Sequence, residues 1–235
     1  MNKTRGLFFT ASLVLAITFT ISCEDKEDKN KFTDSRDGKT YKKVVIGSQT
    51  WMAENLNFAA EGSKCYGEGG EVAIGDKFNL ATKTLSPVEV QANCDKYGRL
   101  YNWNTAMKVC PSGWHLPSKD EYGVLDNAVG GNETAGKKLK SSSGWNDNDG
   151  KSGNGTDDFG FSALPGGNTG GNGDLYDLFA LIGNFGYWWT ASEGETEYEK
   201  LIDIGYGRIM DYSQDYAYWS GGSKSYLHSV RCIQN

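Results

Sequence analysis

Histidine is nearly missing from this 235-residue chain, with His115 and His228 as the whole supply. Any Ser-His or Cys-His nucleophile system would have to run through one of these two rings. No Gly-x-Ser-x-Gly elbow, His-Glu-x-x-His helix or Walker loop is present either, so the familiar hydrolase and nucleotide-binding mechanisms find no footing. Basic charge is short too. Against 30 Asp and Glu stand 24 Lys and Arg, and a net acidic surface is a poor partner for nucleic acid or anionic head groups. Nor does the N-terminus supply a membrane span. Its uncharged stretch, Gly6 to Ser22, is 17 residues long and contains Thr10, Ser12, Thr18, Thr20 and Ser22. A span usually takes about 20 predominantly apolar positions.

That stretch reads instead as an export signal, because Lys3 and Arg5 precede an apolar centre that ends in small residues. Thr20-Ile21-Ser22-Cys23 resembles a bacterial lipobox, with Thr20 where Leu is usual, so that Cys23 would be acylated and become the mature N-terminus. Cysteine arithmetic agrees. Five cysteines is an odd number for an exported chain, and giving Cys23 to lipid leaves Cys65, Cys94, Cys110 and Cys232 as an even set. The charged run from Glu24 to Lys31 has no apolar residue and reads as a solvated tether. The expected organisation is a signal peptide over 1–22, a lipidated N-terminus and charged tether over 23–37, and one domain over 38–235. The expected location is the cell envelope, at the outer membrane or cell surface, with the membrane as partner through the N-terminal lipid. Without Lys3 and Arg5, 22 basic side chains face 30 acidic ones, a formal charge of −8. About 200 residues is ample for one sizeable core.

Along the domain, Tyr41, Val44, Val45 and Ile46 precede Gly47-Ser48 and then Thr50, Trp51 and Met52, the pattern of a β-hairpin with Gly at the first turn position. Residues 62–84 are rich in Gly and polar side chains and are expected to form an irregular loop pinned through Cys65. Ser86-Pro87-Val88-Glu89 is a capping box that starts a helix running to about Cys94. A second helix is expected over Leu100 to Val109. A further capping box, Ser118 to Glu121, opens a third, with Tyr122, Leu125, Ala128 and Val129 at helical spacing until Gly130-Gly131. Beyond Leu139 the strand candidates are Phe159 to Leu164, Tyr187 to Ala191, Glu199 to Ile204 and Tyr226 to Ile233.

Several segments together resemble one family, the Fibrobacter succinogenes major paralogous domain. They are the stretch from Ile46 to Asn57, Tyr97-Gly98-Arg99-Leu100-Tyr101-Asn102-Trp103, Cys110 to Ser118, Asp158 to Gly167, Tyr187 to Glu193, and Ser229-Val230-Arg231-Cys232. Just before the last of these, Leu227-His228 stands where the family pattern has Gly-Phe. The resemblance implies a lipoprotein or surface protein of polysaccharide-using bacteria, and it brings no biochemical activity with it. It further implies an α+β fold, a single loop-rich domain resembling the C-type lectin-like fold and stapled by disulfides. In that fold a cysteine ahead of a turn and capped helix pairs with one in the last strand. Of the three available pairings the resemblance therefore implies Cys110 with Cys232 and Cys65 with Cys94. Closing a loop of more than a hundred residues would contribute about 4 to 5 kcal/mol on the chain-entropy account.

Sugar-binding C-type lectins hold calcium with a Pro-centred tripeptide and a Trp-Asn-Asp. Here Trp145-Asn146-Asp147 lies 85 residues before Cys232, and none of Pro87, Pro111, Pro117 or Pro165 makes the partner motif. Asp147, Asp149, Asp157 and Asp158 supply hard oxygen that could ligate Ca²⁺, but Asp, Asn and Gly are also ordinary turn formers. A structural loop is the favoured reading, with no cofactor expected. His115, in its capped turn, reads as structural, and the four domain cysteines read as disulfides rather than as the reactive thiols of the related formylglycine-generating enzymes. Aromatic residues are the better lead to function. Trp188, Tyr212, Tyr216, Tyr218 and Trp219 are the candidate ligand-binding residues, because exposed rings offer flat amphipathic faces to polysaccharides or proteins. For any single ring core packing is the commoner use. The expected function is a binding or adhesion module for carbohydrate or an envelope protein. The alternatives are a structural or assembly lipoprotein and a polysaccharide-acting hydrolase built on a carboxylate pair.

Overall fold

The computed structural model describes residues 28–74, 81–170 and 178–235. The expected signal peptide, Cys23 and the first part of the tether lie outside them. Among the described residues no helix is long and apolar enough to cross a membrane.

The first strands follow the alternation of their side chains. β1 (Lys31–Thr33) pairs antiparallel with β2 (Thr40–Ile46), and β3 (Gln49–Met52) returns across Gly47-Ser48. Gly47 has φ 60°, the left-handed conformation that the first position of such a turn demands. β1 corrects the expected tether boundary at 37. Phe32 stacks on Trp114 at 4.3 Å between centroids, and the buried Asp34 is bonded by Arg36, whose Nη1 donates to Val109 O at 2.8 Å. Residues 31–37 therefore belong to the fold.

The segment expected as an irregular loop contains a hairpin, β4 (Glu71–Ile74) with β5 (Ala81–Thr84), in which Val72 is the buried residue. Both anticipated capping boxes form, on α1 (Pro87–Tyr97) and, further on, α3 (Lys119–Ala128). Between them, the single helix expected from Leu100 is split. β6 (Leu100–Tyr101) pairs with the end of the chain, and only then does Asn102 cap α2 (Trp103–Val109). β7 (Trp114–His115) precedes α3, and a helix that the sequence reading did not anticipate follows it, α4 (Asn132–Leu139).

The second half holds short ladders, β8 (Asp147–Asn148) with β9 (Lys151–Ser152) and β10 (Asn168–Thr169) with β11 (Phe179–Ala180). Long strands come next, β12 (Phe185–Glu193) and β13 (Ile204–Asp211), joined by α5 (Glu197–Leu201). β14 (Tyr218–Ser223), β15 (His228–Ser229) and β16 (Ile233–Gln234) complete the chain. Three strand expectations are corrected here. Phe159 to Leu164 is a loop, because Asp157 and Ser162 adopt positive φ and the Asp157 carboxylate caps the Ser162 amide at 2.7 Å. Glu199 to Ile204 is mostly helix, started by a capping box between Thr196 and Glu199. The last expected strand is broken into β15 and β16.

The strands build sheets ordered β1-β2-β3-β16-β7, β14-β13-β12-β15-β6 and β10-β11-β4-β5, a mixed α+β architecture with short helices. Two disulfides staple it in the pairing the resemblance implied, Cys65–Cys94 and Cys110–Cys232, with Cα separations of 4.9 and 5.9 Å.

The centre is a buried cation without a carboxylate in its hydrogen-bond shell. Arg231 is fully buried; its Nε and Nη2 donate to Asn55 Oδ1 at 3.2 and 2.9 Å, its Nη1 to Phe161 O and its Nη2 to Ser162 O. The guanidinium carbon also lies 4.3 Å from the Phe161 ring centroid. Burial lowers its pKa to about 10, so it remains charged at neutral pH, neutralised by carbonyl dipoles and a ring face. Asn55 accepts a further bond from Trp188 Nε1 at 2.8 Å and donates to Tyr97 O at 2.9 Å and Ser229 Oγ at 3.3 Å. Gly98 allows this approach, because a Cβ there would sit 2.8 Å from Leu56 O.

His228, the departure from the family pattern, keeps an aromatic ring in the Phe position. It stacks on Trp189 at 3.9 Å and lies 5.1 Å from the Tyr187 ring, and its Nδ1 is buried with no hydrogen-bond partner among the described residues. Burial lowers its pKa to about 3.

Two predictions follow from these contacts. Asn55→Ala leaves the Arg231 cation short of its main acceptor, and urea unfolding should show a loss of about 3 kcal/mol or more; a loss below roughly 1 kcal/mol, the net worth of an ordinary hydrogen bond, would show that the carbonyls suffice. For His228 the unfolded ring takes up a proton near pH 6.5 while the folded one resists to about pH 3. Stability should therefore fall with pH across that window, by roughly 1 kcal/mol per pH unit at the steepest. His228→Phe should flatten that limb without lowering stability at pH 7, which thermal melts from pH 7 to 4 would register.

Candidate ligand-binding site

The N-terminus of α3 is fixed from several sides. Ser118 and Glu121 cap each other, His115 Nε2 meets Glu121 Oε1 at 2.7 Å, and His115 Nδ1 meets Asn235 Oδ1 at 2.7 Å. Burial pulls the His115 pKa down, but Glu121 and Asn235 outweigh it and the net shift is upward. The ring is a structural tie between α3 and the chain's end. Lys119 N donates to Ser192 Oγ at 3.1 Å, fastening the same turn to β12.

So positioned, α3 lies over β12 and β13 and presents Asp126 to Arg208 of β13. Arg208 is fully buried, and its Nη2 donates to both Asp126 oxygens at 2.8 and 2.7 Å and to Asn132 Oδ1 at 2.7 Å. Its guanidinium carbon lies 4.5 Å from the Trp219 ring centroid, and Tyr122 meets Trp219 edge-on at 6.0 Å. Burial raises the Asp126 pKa, with Arg208 opposing, and lowers that of Arg208. Asn132 begins α4, and its carbonyl accepts from Ala217 N beside β14.

These groups surround an open pocket of about 410 Å³. It is lined by Trp219, the buried Asp126, the exposed Asn132, and Lys119, Asp120, Gly123, Val124 and Asn127. Lys119 Nζ sits 5.7 Å from the Trp219 ring and 4.0 Å from that of Tyr206. The pocket thus offers one half-exposed indole, two amides, carboxylates and an ammonium, with no nucleophile aligned to a base. Trp219 also differs from most of the core tryptophans, the buried Trp114 excepted. The indole N–H groups of Trp103, Trp145, Trp188 and Trp189 each donate to a buried partner, whereas Trp219 Nε1 has no such acceptor among the described residues.

Of the five aromatic candidates, only Trp219 lines this pocket. Trp188 is 1 % exposed with its N–H on Asn55, which removes it as a surface residue. Tyr218 pairs opposite Ile209 while Trp219 pairs opposite Arg208, and neighbours on a strand face opposite ways. Tyr216 is 37 % exposed and packs on Tyr218 at 5.8 Å, and Tyr212 meets Phe185 edge-on. Tyr218 and Trp219 therefore lie on opposite faces of β14.

The four acidic candidates have turn duties. Asp147 and Asp149 belong to the β8–β9 hairpin, Asp157 holds Ser162, and Asp158 N bonds to Lys138 O. Among the described residues no three His, Cys, Asp or Glu side chains converge to hold a metal.

Asp126, Asn132 and Arg208 escaped the sequence reading, although two left a trace. Asp126 belongs to the buried stripe Tyr122, Leu125, Asp126, Val129, and Arg208 to the alternation Ile204, Tyr206, Arg208, Met210. A charged residue in each of two apolar patterns signals a buried pair.

Comparison with curated proteins and with solved structures gave no match. The profile described as Fibrobacter succinogenes major domain matches residues 44–234. That span runs from β2 to β16 and takes in the Asn55–Arg231 centre, both disulfides and the pocket under α3, so the chain belongs to the Fibrobacter succinogenes major domain family.

Proposed function

We propose that this domain is a binding module displayed at the cell envelope on a lipid carried by Cys23, and that the pocket under α3 takes a neutral saccharide. The observation that carries the reading is the pairing of a half-exposed Trp219 with Asp126 and Asn132, both held by one buried guanidinium. An indole face accepts the C–H side of a sugar ring, while fixed carboxylate and amide oxygens accept its hydroxyls. Because Arg208 sets both acceptors beforehand, little ordering is left for the ligand to impose. Lys119 and Asp120 balance in the lining, which favours an uncharged ligand over an acidic one. We also read the scaffold as C-type lectin-like, on the support of the bridge from Cys110, ahead of the capped α3, to Cys232 near the last strand. Calcium has no part in this reading.

Glycan arrays followed by titration calorimetry test the site. Trp219→Ala and Asn132→Ala should each weaken a neutral glycan at least about tenfold, equivalent to ~1.4 kcal/mol, with far-ultraviolet dichroism and a cooperative thermal transition retained. Binding that survives both substitutions, or no binding to any glycan, would overturn the proposal and favour an assembly role; turnover of the glycan would favour a hydrolase. For the anchor, Cys23→Ala should move the expressed full chain from the detergent-soluble membrane fraction to the soluble fraction, and an unchanged distribution would refute lipidation at this residue.

A further inference from the structure

The two disulfides differ in what surrounds their sulfurs. Arg99 Nη1 lies 3.3 Å from Cys65 Sγ and 3.6 Å from Cys94 Sγ, so one guanidinium addresses both atoms of a single bridge. Cys65 also lines an open pocket of about 570 Å³, between the glycine-rich turn at 67–70 and the start of α1, whose apolar wall is Leu85, Pro87 and Val90. Burial does not separate the bridges, since Cys65 and Cys94 are 4 % and 2 % exposed while Cys110 is partly buried and Cys232 is 0 % exposed. The difference is that Cys232 sits within an aromatic core cluster and no guanidinium bonds its bridge's sulfurs among the described residues. Attack on Cys110 would expel a thiolate into that apolar interior. Burial raises a thiol's pKa and makes it a poor leaving group at either bridge, and an adjacent guanidinium counters this only at Cys94.

We propose that Cys65–Cys94 is a thiol–disulfide exchange site, reduced in the folded protein by an extracytoplasmic dithiol, while Cys110–Cys232 is a permanent staple. A thiolate of the reductant enters the pocket and bonds to Cys65 Sγ. The Cys65–Cys94 bond breaks, and its electron pair leaves on Cys94 Sγ beside Arg99. The reductant's second thiol, deprotonated, then attacks its own sulfur in the mixed disulfide and releases Cys65 as a thiolate. The reductant ends as a disulfide, and the two cysteines take up two protons, matching those the dithiol lost. The α1 macrodipole works against a thiolate at Cys94, which lies in the helix's last turn, and the carboxylate of Glu68 opposes it too. Arg99 is the group that offsets both.

Other contacts hold the same loop independently of the sulfurs. Arg99 Nε donates to Ser63 Oγ at 2.9 Å, and its Nη2 donates to Ser63 O at 3.0 Å and Glu68 Oε2 at 2.8 Å. Lys64 and Leu100 exchange backbone bonds at 2.9 and 2.8 Å. These contacts keep the loop in place once the sulfurs part.

The test is timed reduction of the native protein with dithiothreitol, quenched by iodoacetamide and read by peptide mass mapping. Cys65 and Cys94 should be labelled at least about tenfold faster than Cys110 and Cys232, reflecting the difference in leaving group. Arg99→Gln should slow their labelling several-fold and Glu68→Gln should speed it, because the two changes move the thiolate's electrostatic support in opposite directions. A loop merely loosened by substitution would react faster in both variants. That result, or equal rates for the two bridges in the unaltered protein, would overturn the proposal.

Discussion

Five of the six motif segments of this domain meet at one buried positive charge, the Arg231 guanidinium and the Asn55 amide that holds it. Arg231 enters the interior near the end of the chain with no carboxylate bonded to it, and an isolated cation there would be prohibitively costly. The cost is offset by Asn55 Oδ1, the carbonyls of Phe161 and Ser162 and the Phe161 ring face. Asn55 in turn can hold its place only while Tyr97 O and Ser229 Oγ accept its amide hydrogens and Trp188 Nε1 shares its oxygen. Contributions thus come from β12, β15, the end of α1 and two loops, so that burying Arg231 correctly requires most of the topology to be correct. Such a network specifies one arrangement more than it adds net stability.

Three buried cations are met in three ways, and Arg208 is met least completely, its Nε and Nη1 being buried without a partner among the described residues. Lys140 Nζ is satisfied by the Asp211 and Gln214 carbonyls at 2.8 and 2.9 Å, and burial brings its pKa to about 8. Arg231 relies on an amide and carbonyls. Arg208 alone is met by a carboxylate, and that carboxylate and the amide beside it line an open pocket. Asp126 and Asn132 converge on one guanidinium nitrogen, which fixes two acceptors at the pocket next to an indole. That geometry is what the proposed recognition site would use, with its acceptors set before a ligand arrives.

Local chemistry was legible in the sequence and long-range chemistry only faintly. The Gly47-Ser48 hairpin and the capping boxes at Ser86 and Ser118 were readable because a few adjacent side chains satisfy the backbone groups concerned. Phe159 to Leu164 misled, since its apolar residues pack as a strand's would while its carbonyls are committed to Arg231, 69 or 70 positions away. Glu199 to Ile204 misled for the opposite reason, as Thr196 and Glu199 impose a local cap on a stretch that looks extended. The pocket is assembled from α3, the start of α4, β13 and β14, and no local pattern announces that convergence. Its trace was the acid in a helical stripe and the base in a strand alternation, two breaks in pattern that become informative once taken as partners.

The abundance of aromatic rings describes mainly an interior, the commoner use expected for any single ring, with few left at the surface. In a glycine-rich domain with short helices, few elements are long enough to build a continuous aliphatic face, so bulky flat side chains fill the space between loops and strands. Trp51, Trp103, Trp145, Trp188 and Trp189 do this, each with its N–H committed to a partner within the protein. Interior use of an indole ordinarily demands such a partner. Trp114 and Trp219 have no such acceptor among the described residues, and of the two only Trp219 lines the pocket under α3. Trp219 keeps one side on Arg208 and Tyr122 and leaves the remainder open toward Asp126 and Asn132, on an edge strand where a larger ligand can approach without displacing any part of the core.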